Sequence, residues 1–165
     1  MEYWSVGGPN NPLLHHSNTP ILQLHVSLTK QELAFIRSAR VAHLATADAH
    51  GQPHVIPICF VFDGNYFYSP IDEKPKRIAP RKLKRLRNIR ENPRVALVID
   101  RYDENWSKLA YILIIGRARV LASGSNHRKA VNLLRRKYPQ YRTMRIDRLP
   151  MILIRPTRTT SWGAI

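Results

Sequence analysis

Apolar positions along the chain change period several times, and the changes mark out the elements. From Ser27 to Ala39, Thr29 and Glu32 stand at capping-box spacing, and Leu33, Phe35 and Ile36 supply an apolar face; this predicts a short amphipathic helix. From Val41 the pattern shortens toward strands: Val41 to Ala47, then an Asp48–Gly51 turn, then Pro53 to Phe62. Asp63-Gly64 is a hairpin signal, and Asn65 to Ser69 returns as a third strand, so the three read as an antiparallel meander. Pro57 marks the second strand as an edge or a bulge, because proline cannot donate to a ladder. Pro80 to Glu91 predicts a helix with a narrow Leu83, Leu86, Ile89 stripe. Arg94 to Asp100 and Leu109 to Ala122 read as strands, with Gly116 a bulge or bend in the longer one. Asn126 to Tyr138 is amphipathic and stops before Pro139, and Leu149 to Arg155 is the last strand before a tail carrying Trp162.

About six strands and three helices in this order give a mainly β (α+β) chain, most simply a small antiparallel barrel flanked by helices. Closure removes the exposed edges that a six-stranded open sheet would keep. Residues 1–26 carry Gly7-Gly8-Pro9, Asn10-Asn11-Pro12 and Asn18-Thr19-Pro20 without periodicity, and read as an N-terminal arm ahead of a single domain, 27–165. No apolar run nears the roughly 20 residues of a membrane span. The one cysteine, Cys59, sits in an apolar run and excludes an internal disulfide framework; with no secretory signal at the start, a cytoplasmic protein is expected.

Charge alters this ordinary picture. The 165 residues hold 27 Lys and Arg against 11 Asp and Glu, a formal net charge of +16, which calls for a polyanionic partner. Ten cations lie between Lys74 and Arg94, with Glu91 the only acid among them, and ten more between Arg128 and Arg158. No aromatic residue lies between Tyr68 and Tyr102, so the first block offers charge without stacking platforms. That, and the lack of zinc-finger or basic-zipper spacing, argues against nucleic acid.

Catalytic motifs are missing: there is no G-x-S-x-G, no H-E-x-x-H, no Walker A and no metal-spaced Cys/His set. The adjacent acids Asp103 and Glu104 point apart on an extended segment. An enzyme of this composition would take its reactive group from a cofactor. The segment Ser69-Pro70-Ile71 runs into a loop bearing Lys74, Lys76 and Arg77, and the next helix adds Lys82, Lys84 and Arg85. A strand end, a hydroxyl, backbone donors and clustered cations suit a phosphate; the plainer reading is a merely basic loop.

The runs LATADAHGQPHVIPICFVFDGNYFYSPIDEKPKR, LKRLRNIRENPRVALVIDRYDENW, GRARVL and LLRRKYPQY resemble the pyridoxamine 5′-phosphate oxidase-like split-barrel flavoproteins. Within these, the chain is most similar to the deazaflavin (coenzyme F420)-dependent oxidoreductases, over about Val41 to Ile154. The resemblance implies a homodimer of six-stranded split barrels with cofactor clefts between subunits. It implies a ring near Ala45-Thr46 and Val55-Ile56-Pro57, and a phosphate held by Ser69, Pro70, Ile71, Lys74, Lys76, Arg77, Lys82 and Arg85. Trp106, Arg117 and Trp162 would reach the site from the other subunit. The implied chemistry is hydride transfer between the ring and a small organic substrate, with no catalytic side chain named. F420 carries a phosphodiester and an acidic tail, which the excess charge favours over FMN, the alternative cofactor. A basic module that binds a cofactor or nucleic acid without turnover is the remaining alternative.

Overall fold

The computed structural model describes residues 26–73, 79 and 82–165; the expected arm up to residue 25 and the loop residues Lys74, Lys76 and Arg77 lie outside them. Helix α1 (Lys30–Ser38) opens on the expected capping box. The Thr29 hydroxyl accepts from the Glu32 amide at 3.1 Å, and the Glu32 carboxylate accepts from the Thr29 amide at 2.8 Å. Helix α2 (Lys84–Glu91) is shorter than the Pro80–Glu91 expectation, and α3 (Ser125–Lys137) matches its own closely.

The strands are β1 (Ala42–Ala47), β2 (Pro53–Ile58), β3 (Val61–Phe62), β4 (Phe67–Pro70), β5 (Arg94–Arg101), β6 (Ala110–Leu121) and β7 (Met151–Gly163). They form one curled antiparallel sheet in the order β2-β1-β5-β6-β7-β4-β3, the split-barrel fold expected but with seven strands rather than six. The extra strand arises because the run Pro53–Phe62 breaks at Cys59-Phe60. There the Phe60 amide donates to the Tyr138 hydroxyl (3.1 Å), which in turn lies 2.9 Å from Phe60 O and 2.8 Å from Arg40 O. The Phe60 amide is satisfied by a side chain at the end of α3, and the single hydroxyl proton is shared between the Phe60 and Arg40 carbonyls, so the chain leaves the ladder at little cost.

The break splits the expected meander between the two edges of the sheet: the first half of the run, β2, pairs with β1, and the second half, β3, pairs with β4. β1 pairs with β2 and β5, whereas β4 pairs with β3 and β7, so β2 and β4 are not neighbours. The last strand is longer than expected: Thr157 to Gly163, read as a tail, continues β7 along the apolar first half of β6. Two local expectations hold. Pro57 lies on the terminal strand β2, and the β6–β7 register shifts between Ile115 and Gly116, where Thr157 is the extra residue. A Cβ on Gly116 would sit 2.6 Å from Arg155 O, so the bulge requires glycine there.

Alternation along the strands sorts side chains to two faces. Leu44, Leu97, Ile99, Ile112, Ile114 and Ile154 point inward and pack with Phe35 and Ile36 of α1 and Leu86 and Ile89 of α2. Each fully buried Leu or Ile contributes about 1.5–3 kcal/mol relative to exposure. On the outer face α3 covers only the β3–β4–β7 part, where Ala130, Val131 and Leu134 meet Val61, Tyr68 and Leu153. The outer face of β2, β1, β5, β6 and the second half of β7 has no cover among the described residues.

Candidate functional site

The start of α2 lies against the ends of β1 and β2, and polar side chains gather there. Asn88, fully buried in α2, donates from Nδ2 to Thr46 Oγ1 at 3.1 Å, and the Thr46 hydroxyl donates to His54 O at 3.4 Å. Two atoms of this cluster are left over: Asn88 Oδ1 and His54 Nδ1 are buried without a hydrogen-bond partner among the described residues. Buried polar atoms of this kind are uncommon and call for a water or another polar group beside them.

Cations surround the cluster. Lys84 Nζ lies 3.2 Å from Asp48 Oδ2. Burial lowers the pKa of Arg85, and the nearby Asp72 carboxylate works against that. The His54 imidazole is held below its ordinary pKa, first by burial and then by Lys84 and Arg85, so it is kept neutral and able to accept or donate. Asp72 follows directly on Ser69, Pro70 and Ile71 at the end of β4, all of them buried. Ile71 N–H donates to Pro150 O at 3.0 Å, which anchors this strand end. Arg85 thus links the two groups of expected residues: it acts on His54, which is bonded to Thr46, and on Asp72, which follows the Ser69–Ile71 strand end; Lys82 is exposed two residues before α2.

Val55 and Pro57 face outward, onto the bare part of the sheet. Cross-strand pairing lays out its rungs: Val55–Ala45–Ala96–Ile115–Arg158 and Pro57–His43–Val98–Leu113–Thr160. Two alanines at the centre of one rung make a flat, shallow floor, bordered by Val55 at 59% exposure. At the far end Trp162, 54% exposed, stacks on Tyr111 with centroids 5.8 Å apart, and Trp106 is 75% exposed in the short helical turn before β6. A flat apolar floor on the outer face, with clustered cations at the β1–β2 end of the sheet, fits a planar ring with an anionic chain; the unused atoms of His54 and Asn88 lie on the inner face, under α2.

Arg117 sits elsewhere. It occupies a rung with Arg94 and Arg155, three like charges directly opposite one another on the outer face. Six residues along β6 separate it from Tyr111, roughly 20 Å of strand. Within one chain, therefore, Arg117 and the Trp106–Trp162 end do not form one site. The residue reading missed His54 and Asn88. Asn88 was legible as the one uncharged polar side chain among the cations of α2; His54 had no signal, because its burial comes from packing.

No group of three or more His, Cys, Asp or Glu that could hold a metal occurs among the described residues, and no helix there is long and apolar enough to cross a membrane. The chain is 28% identical over 136 residues to a protein of Streptomyces rimosus subsp. rimosus named 5a,11a-dehydrotetracycline/5a,11a-dehydrooxytetracycline reductase, covering 82% of each. Among solved structures, it is similar to a conserved hypothetical protein of Mycobacterium tuberculosis (TM-score 0.65, 21% identity, 86% of this chain and 88% of that one). A protein described as an F420 reductase matches at TM-score 0.56 and 20% identity, over 81% of this chain and 98% of the other. The family model described as pyridoxamine 5′-phosphate oxidase matches residues 28–163. With that span and the curled seven-stranded sheet in agreement, the chain belongs to the pyridoxamine 5′-phosphate oxidase family of flavin-binding split-barrel oxidoreductases.

Proposed function

We propose that this protein is a deazaflavin (coenzyme F420)-dependent oxidoreductase that transfers hydride to a small organic substrate and works as a homodimer. One observation carries the reading: the bare outer face of β1, β2 and β5 runs to the β1–β2 end of the sheet, where Lys84 and Arg85 of α2 gather. The choice of F420 over FMN rests on the charge, +16 overall, which exceeds what one phosphate needs. The reductase relative and the F420 reductase of like fold support it.

When bound, the cofactor supplies hydride exchange at its ring; the chain binds, orients and shields. Ala45, Val55 and Pro57 offer the apolar floor for one ring face. Ser69, Pro70 and Ile71, with Lys74, Lys76, Arg77, Lys82 and Arg85, hold the phosphate and the acidic chain. A second copy, docked on the same bare face, brings Trp106 and Trp162 to one end of the cleft and Arg117, roughly 20 Å along the sheet, to the other, and excludes water. No side chain is required as a general acid or base.

Titration of the purified protein with F420 and with FMN, followed by fluorescence, tests the cofactor. Micromolar or tighter F420 binding, with FMN at least tenfold weaker, is expected; tighter FMN binding reverses the choice between the two. The Lys76→Ala/Arg77→Ala double variant should lose cofactor affinity and keep its melting curve. Unchanged affinity would move the phosphate elsewhere. Binding of neither cofactor, with DNA binding that weakens steeply in salt, would replace the enzyme by a nucleic-acid module.

A further inference from the structure

Strand β6 outruns β5. Past the Arg94–Arg117 pair and one bond from Ala118 N–H to Pro93 O (2.8 Å), the last residues of β6 have β7 on one side and no strand on the other among those described. The C-terminal end of α2 and the Arg148–Pro150 segment stand beside this free edge and enclose a cleft of about 460 Å3. Pro93, Val120 and Pro150 give it apolar walls, and Arg90, Arg119 and Arg148 line it from three different elements. Its volume falls within the roughly 300–1,000 Å3 of small-molecule sites.

The three arginines are exposed, and none pairs with a carboxylate among the described residues. The acids next to them in sequence are engaged elsewhere. Glu91 lies 3.8 Å from Arg87 and accepts from the Ala49 amide, and Asp147 lies 2.7 Å from Arg135. Three uncompensated guanidinium groups around one cleft repel one another, and an anion between them removes that cost. Guanidinium forks bind phosphate and carboxylate oxygens in pairs, while the apolar walls suit an uncharged body.

We propose that this cleft binds an organic anion of mononucleotide size carrying at least two acidic groups. The cleft shares no lining residue with the positions assigned to the cofactor, so this site stands whether or not F420 is the cofactor. Calorimetric titration of the full chain with ADP tests it. One ADP per chain is expected, and the Arg90→Gln/Arg119→Gln/Arg148→Gln variant should bind at least tenfold more weakly, with unchanged melting and unchanged cofactor affinity. Ala122→Glu, which adds an opposing charge at another exposed lining position without removing an arginine, should weaken ADP in the same direction. Absence of ADP binding to the unmodified chain at millimolar concentration would overturn the proposal. So would equal affinity in the variants, or displacement of ADP by one equivalent of F420 or FMN.

Discussion

Asp63 shows how much one carboxylate can organise. It accepts from the Asn65 and Tyr66 amides at 2.9 and 2.8 Å, from the Tyr68 hydroxyl at 3.1 Å and from Lys129 Nζ at 2.5 Å. Burial alone would raise its pKa; Lys129 and the two amides outweigh burial and hold it below the ordinary carboxylate range. Asp63→Ala leaves the buried Tyr68 hydroxyl and two turn amides without their acceptor and should cost about 1–3 kcal/mol in urea unfolding. Because the folded pKa is the lower one, the stabilisation is complete above the unfolded value of about 4 and fades as pH falls through the folded one. The gap between the two proteins should narrow accordingly in acid. His54 gives the second pH signature. Its folded pKa is depressed, so below about 6.5 the unfolded chain takes up a proton that the folded one resists, and stability declines. His54→Gln should flatten the dependence of the melting temperature on pH between about 7 and 5. An unchanged slope would show that His54 protonates freely in the fold.

At the scale of elements, the β6–β7 pair depends on its bulge. Gly116→Ala places a Cβ against the Arg155 carbonyl and should destabilise the fold by about 1–3 kcal/mol, read as a lower thermal midpoint. Gly116 was legible in the sequence, as were the α1 cap and the edge position of Pro57, because each follows from backbone chemistry within a few residues. The break between β2 and β3 was not. It is made by the Tyr138 hydroxyl, 78 residues further along the chain, and no local pattern in Pro53–Phe62 announces a distant side chain. The length of β7 was hidden for a similar reason: Thr157 to Gly163 is polar enough to read as a tail, and becomes a strand by pairing with the apolar run of β6. The candidate site divides along the same line. Ser69, Pro70, Ile71 and Arg85 stood out as a charged loop after a strand end, whereas the unused atoms of His54 and Asn88 exist only once α2 has packed onto β1.

For the molecule as a whole, the net charge separates into uses. Some cations are spent on structure: Lys84 with Asp48, Lys129 with Asp63, Arg135 with Asp147. Others line the two proposed anion sites, and the Arg94–Arg117–Arg155 rung stays concentrated on the face left bare by α3. On the proposed dimer, that face is where copies meet. Light scattering should give twice the 19.1 kDa chain mass, and Val98→Asp, at the centre of the bare face, should return the single-chain mass without loss of melting temperature. A single-chain mass before mutation would remove the two-subunit cleft from the functional reading.

β7 runs through both environments of that surface. Met151 to Ile154 are buried, Leu153 beneath α3, whereas Thr159 to Gly163 pair with β6 along the open face. One continuous strand therefore carries its own internal reference for deuterium exchange. Amides of its first half should exchange only as the domain unfolds, at a rate indifferent to protein concentration. Those of its second half should slow as the solution is made more concentrated, and the ratio within a single peptide would measure how long the face stays covered.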